Sequence, residues 1–524
     1  MRQLISSLLT ASLLAALLCV SDASTFGQAP KLYEPPTKDW PMYAGHLKRN
    51  FVNPNITGIP ESWDINEGEN IAYSVQLGSR AYGGPVVSDG KILIGTNNEY
   101  PRDASITGDK GVMMCFNEAD GEFVWQIVHD KLAAGRVWDW PQQGVCSTPA
   151  IEGDRFYYIG NRCEVICANI NDGSIIWKID MIGELNVFPH NIATCSPMIV
   201  GDTLFLLTSN GVDAAHLRVP AEEAPSFLAL NKADGSVLWS SNLPAQSQRN
   251  IMHGQWSNPA YAEPNGEPQV IFPGGDGWVY SFKPKTGELI WKFDCNPKDS
   301  VYKLGGRGTA NDFVATPVIY KDKLYISVGQ DPEHDTGVGH LYCIDITKKP
   351  ANADKDISPT IVTATEPKLV EKPNPDSAEI WHYGGPRDQN QASQQCDTGE
   401  TYVFGRSMST CAIMDDILYV AELGGHVHCM NALTGECYWT ESMFANTWSS
   451  PYLADGKVFV GNDDGILYVF KHSKELELLA EIEHDDGTKI RTTPVATNGR
   501  LYYMTESPTK LWVVEMGAKS PASK

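Results

Sequence analysis

The stretch DGSIIWKID, Asp172–Asp180, is one of five versions of a single phrase. The others are DGEFVWQIV from Asp120, DGSVLWSSN from Asp234, TGELIWKFD from Thr286 and TGECYWTES from Thr434. Reading outward from Trp177, the unit STPAIEGDRFYYIGNRCEVICANINDGSIIWKID holds four short runs. Each alternates polar and apolar residues, and Gly, Asp and Asn separate them, which is the pattern of an antiparallel meander. One such sheet cannot bury both of its faces, so it must stack on copies of itself.

The copies can be counted at their openings. An anchor recurs as Gly84-Pro85, Thr148-Pro149, Ser196-Pro197, Asn258-Pro259, Thr316-Pro317, Ser450-Pro451 and Thr493-Pro494, with a degenerate form at Thr410-Cys411-Ala412. The last unit stops one strand short, while NIAYSVQL, Asn70 to Leu77, precedes the first anchor as a strand without a sheet. If that strand completes the last sheet, the fold is an all-β, eight-bladed β-propeller of four-stranded antiparallel blades whose ring closes on itself. The Asp/Thr-Gly is then the tight turn between third and fourth strands. Trp125, Trp177, Trp239, Trp291, Trp381 and Trp439, with Tyr73 in the same position, are structural groups that dock on the neighbouring blade.

Residues 1–23, from Arg2 through an apolar run to Ser21-Asp22-Ala23, read as a cleaved secretory signal peptide, and no later run is long and apolar enough to cross a membrane. Cys19 follows Leu18, which does not suit a lipidation signal. Residues 24–68 are expected to be a lead-in packing on the propeller, 69–516 the ring with 69–78 closing its last blade, and 517–524 a tail. The net charge of -23 argues against a nucleic-acid partner, because phosphate binding needs a basic face. The expected product is a monomer in the periplasm or outside the cell. Of its twelve cysteines, Cys115, Cys167, Cys343 and Cys429 hold one repeat position and read as small buried hydrophobes. Export permits a disulfide among the rest, with pairing left open.

The docking phrase and the blade count resemble the pyrroloquinoline-quinone (PQQ) repeat family over roughly Trp40 to Met516. DWPMYAGHLKRN, GQDPEHDTGVGHLYCID and FGRSMST look like a planctomycete-type subgroup of it. The resemblance implies the fold firmly and the activity loosely. The family includes PQQ-dependent alcohol dehydrogenases and cofactor-free scaffolds such as the outer-membrane assembly factor BamB.

In a meander propeller the second-to-third loops share a face with the connections from each outer strand to the next inner strand. The long connections of those two kinds fall there, so that face is the expected binding surface. Its residues Trp138, Trp140, His190, His253, Trp256, Arg307, Arg406 and Trp448 combine cations with flat aromatics. This mixture suits a small planar anionic ligand in the funnel, as PQQ would be, or simply packs the loops over the mouth. For catalysis the resemblance further implies a calcium ion and a carboxylate base. Asn311 and Asp312 are the residues on hand, Asp312 also as the base, whereas the adjacent cysteine pair of many such enzymes is missing. The leading expectation is a binding scaffold that engages a protein or another cell-envelope component; the alternative is a dehydrogenase oxidising an alcohol or sugar.

Three smaller features are read blandly. Asp331, Glu333, His334, Asp335 and His340 in one loop are expected to be solvated, not a metal site. His426 and His428 share a strand face but do not complete a site. Lys348 to Glu379, rich in Pro, Lys and Asp, is expected to be a solvated excursion between the third and fourth strands of blade five.

Overall fold

The computed structural model describes residues 31–246, 253–302, 308–330, 336–364, 368–387, 394–395, 401–485, 487–507 and 509–517. The expected signal peptide, Arg307, Cys396, nearly all of the tail and the acidic loop 331–335 lie outside them.

The described residues form eight antiparallel blades. Seven run in chain order from the inner to the outer strand. The eighth is mixed, as the orphan strand required: Ile71–Gln76 pairs with Lys510–Glu515, and Tyr73 lies opposite Val513. Ring closure therefore joins segments more than 430 residues apart.

The repeated phrase is a contact between blades. Trp125 Nε1 donates to the carbonyl of Ile170 at 3.0 Å, and its ring covers Gly173 in the next blade. Gly173 has φ of +72°, and a Cβ there would come within 2.8 Å of the indole, so this position requires glycine twice over. Trp177 repeats the contact on Lys232 and Gly235, Trp239 on Pro284 and Gly287, and Trp381 on Ala432 and Gly435. Trp439 bonds to Ser473 O, in a turn without glycine. Tyr73 does the same across the seam, its hydroxyl donating to Glu118 O at 2.6 Å while its ring lies over Gly121. Across the strand, Trp125, Trp177, Trp381 and Trp439 face Cys115, Cys167, Cys343 and Cys429. The cysteines recur because only a small side chain leaves room beside an indole. None of the ten described cysteines is in a disulfide.

Trp291 departs from the pattern. It donates to Gln269 Oε1 in its own blade, and Gln269 Nε2 passes the link to Ile346 O of blade five. The cause is the excursion, which replaces the glycine turn of blade five. It does sit between third and fourth strands, and its exposed hairpin Thr360–Ala364 and Val370–Pro373 is solvated as expected. Its base is not: Ile357 and Ser358 are buried, and Asp356 bridges to Lys292 on the outer edge of blade four.

At the axis, the first residue of each anchor links its blade to the next. The Gly84 amide donates to Thr148, Thr148 to Ser196, Ser196 to Asn258, and the Asn258 side chain to Thr316. Thr316 then donates to Thr410, Thr410 to Ser450 and Ser450 to Thr493.

The lead-in packs inside this circle. Residues 40–53, WPMYAGHLKRNFVN, thread the channel and meet the inner strand of every blade. The amides of Val87, Ile151, Tyr261, Ile319 and Leu453 donate to the carbonyls of Trp40, Pro41, Leu47, Lys48 and Phe51. Asn50 exchanges two bonds with Ile413, and Asn53 Nδ2 reaches Ala496 O. Arg49, fully buried, donates to the carbonyls of Pro259, Tyr43, Ser196 and Pro197. Inner-strand amides that would otherwise line an open channel are thus satisfied by one segment.

Candidate functional site

The plug turns the channel into a funnel of about 410 Å³ with a closed floor made by Trp40, Met42, Tyr43, Ala44 and Phe51. Anchor residues form its wall. Four of the eight sequence-predicted loop residues line it: Trp140, Trp256, Arg406 and Trp448. They do so because each immediately precedes an inner strand or sits in the connection folding back over one.

Among the lining residues that were missed are Tyr82 and Arg491. The same rule finds both, since Tyr82 stands just before Gly84-Pro85 and Arg491 just before Thr493-Pro494. The Arg491 guanidinium stacks on Trp448 at 5.1 Å and bonds Asp463 through two nitrogens at 2.8 and 2.7 Å. It also lies 3.7 Å from Glu506 and bonds the Tyr82 hydroxyl at 3.1 Å. Burial opposes its charge, but the Asp463 hydrogen bonds prevail and raise its pKa. Glu506 is itself raised, by burial first.

The other predicted residues that are described stand behind the wall. Trp138 packs edge-on against Phe188 at 5.5 Å. His190 and His253 lie behind Trp256, whose indole donates to His190 O at 3.3 Å. A third histidine, His216, joins them from the long second-to-third loop of blade three. Asn311 and Asp312 form a short strand against Gly329 and Gln330. The Asn311 side chain donates to Cys295 O at 2.7 Å, and Asp312 turns to His253, Oδ2 to Nδ1 3.5 Å.

His426 and His428 converge on one buried carboxylate, Glu422, at 3.1 and 3.7 Å. Burial would raise Glu422, but hydrogen bonds from the two histidines prevail and hold it at about 2. Burial would lower His428; hydrogen bonding to Cys437 and to Glu422 prevails and raises it to about 9. The carboxylate ties Gly405, in the loop carrying Arg406, to blade six.

Among the described residues the donor set of the funnel does not fit PQQ with calcium. The aromatic faces are present, but Arg491 is already neutralised by carboxylates. Among the described residues the wall offers no group of carboxylate and amide oxygens for a hard ion, and Asn311 and Asp312 face elsewhere.

Eight four-stranded blades, pinned tryptophan to glycine, make this a PQQ-repeat β-propeller. The sequence model of the family described as outer membrane protein assembly factor BamB matches residues 108–383 and 368–515, and the chain belongs to that family. Curated relatives carry the same name. The Yersinia pestis protein is 22% identical over 368 residues, 69% of this chain and 80% of the relative. The Moranella endobia protein is 27% identical over 174 residues, and the match spans only 33% of this chain and 36% of the relative. Among solved structures, the quinohemoprotein alcohol dehydrogenase from Comamonas testosteroni superposes with a TM-score of 0.60 at 12% identity, covering 93% of this chain and 82% of that one. At that identity the likeness is one of fold.

Proposed function

We propose that this propeller is a binding scaffold of the cell envelope, in the periplasm or outside the cell, that takes a protein partner on its long-loop face. The observation that carries the reading is the apolar character of the loop tips. Phe444, between blades six and seven, is 87% exposed, and Leu217, in the long loop of blade three, is 74% exposed. Tyr100 and Val301 lie exposed on the same face. Large side chains held in water at the ends of rigid loops are costly unless another surface covers them. The family name supports the reading, as does the funnel's Arg491, whose charge is met by Asp463 and Glu506.

The test uses the full chain and its Phe444→Asp, Leu217→Asp double variant in cross-linking captures from envelope extract. One reproducible partner, lost with the double variant and kept with Ile176→Asp on the outer rim, is the expected result. No partner, or one indifferent to both tips, overturns the reading. Retention of PQQ in calcium buffer, with dye reduction by alcohols or sugars, would replace it with the dehydrogenase alternative.

A further inference from the structure

His190, His216 and His253 come from three separate connections and meet in one place. Their ring centroids are 4.8 Å apart in each pair, and one nitrogen from each ring lies within 4.8 Å of the other two. His190 is 1% exposed; His216, at 9%, is the member nearest solvent. His190 Nδ1 donates to Val212 O at 2.9 Å, which fixes the tautomer and leaves the lone pair on Nε2. Among the described residues that buried Nε2 has no hydrogen-bond partner, and an acceptor left bare in the interior costs about 1–3 kcal/mol.

We propose that these three histidines form a metal site for a borderline transition-metal cation, zinc foremost, bound through Nε2 of His190 and one nitrogen of each partner ring. Neutral imidazoles suit zinc, cobalt or copper, whereas calcium and magnesium take oxygen. Three protein ligands leave a fourth tetrahedral position for water or for a ligand group from outside. The surroundings supply what such ligands need behind them. The Val212 carbonyl holds His190, the Tyr302 hydroxyl sits 2.6 Å from His216 Nδ1, and Asp312 Oδ2 lies 3.5 Å from His253 Nδ1. Partners of this kind orient metal-bound imidazoles and raise their basicity. Tetrahedral zinc with bonds of about 2.0–2.1 Å needs nitrogens about 3.3 Å apart, so the rings draw inward by about 1 Å on binding. The centre would lie one indole, Trp256, behind the funnel wall, and it is independent of the scaffold reading.

The test is metal analysis of tag-free full-length protein, stripped with chelator and dialysed in turn against zinc, cobalt and calcium. About one zinc or cobalt per chain and no stoichiometric calcium is expected, with cobalt giving the absorption of a tetrahedral site. His190→Ala and His216→Ala should each weaken zinc binding at least ~100-fold. Asp312→Asn should weaken it ~10–100-fold, the range typical of such second-layer partners. The melting temperature of the metal-free His216→Ala protein should match that of metal-free wild type, which keeps the test valid if His190→Ala fails to fold. No equimolar zinc or cobalt, or zinc binding unaffected by His216→Ala, overturns the proposal.

Discussion

The rim and the axis of this ring solve the same problem, holding blade to blade, with different materials. At the rim, each blade makes the contact for itself: an indole covers the next blade's turn glycine and donates to a carbonyl three residues before it. At the axis, one segment serves all the blades at once, through a different residue in each case. Periodic contacts divide the load, so losing one leaves the others. A single shared segment concentrates it, and the costliest substitutions should lie there.

Arg49→Met is the strongest way to break the comparison. It strips three buried carbonyls and one half-buried carbonyl of a donor, and a loss of about 4 kcal/mol or more in denaturant titration is expected. A loss under about 1 kcal/mol would mean that the plug is not shared support. Trp239→Ala should cost about 3 kcal/mol, since one of several equivalent contacts is emptied. Gly235→Ala sharpens the picture by geometry. Its Cβ would sit 2.8 Å from Trp177 at φ of +78°, whereas Gly153→Ala, at φ of +62°, meets nothing within 4 Å. The first should cost about 1–2 kcal/mol more than the second.

The two histidines on Glu422 test the loop face that lies between rim and axis. Glu422 is lowered to about 2, so its contribution is complete above its unfolded pKa, near 4.5, and fades as the pH falls through 2. His428 is raised to about 9, so its contribution is complete below its unfolded pKa, near 6.5, and is lost as the pH rises through 9. Melting temperature should therefore fall by a few degrees more in wild type than in His428→Gln between pH 6.5 and 9. Tyr73→Phe is the smallest expected effect, about 1 kcal/mol in the same titration, for the single bond to Glu118 O.

The rim was legible in the sequence because it is written repeatedly: five spaced tryptophans, the anchors and an orphan strand specify blade number and closure. The axis was not. WPMYAGHLKRNFVN has no period, and nothing local marks Arg49 as buried or Asn50 as reaching Ile413, because its partners are backbone groups hundreds of residues away. The funnel wall was half legible. Position just before an inner strand found Trp256 and Trp448 and would have found Arg491, but it could not separate Trp140, on the wall, from Trp138, two residues away and behind it. His216 escaped because it sits in the middle of a loop whose fold no short motif encodes.

The circle of anchor bonds has one gap. Gly84 gives its amide to Thr148 but has no side chain to receive a bond from Thr493. The gap falls where Ile71–Gln76 meets Lys510–Glu515, so the weakest inner link coincides with the blade that is built from both ends of the ring. During synthesis, blades one to seven can stack as an open crescent around residues 40–53, but the first strand has no mate until residue 510 exists. The molecule is a clasp bracelet, and its hinge for assembly, and for undoing, is the boundary between the eighth blade and the first.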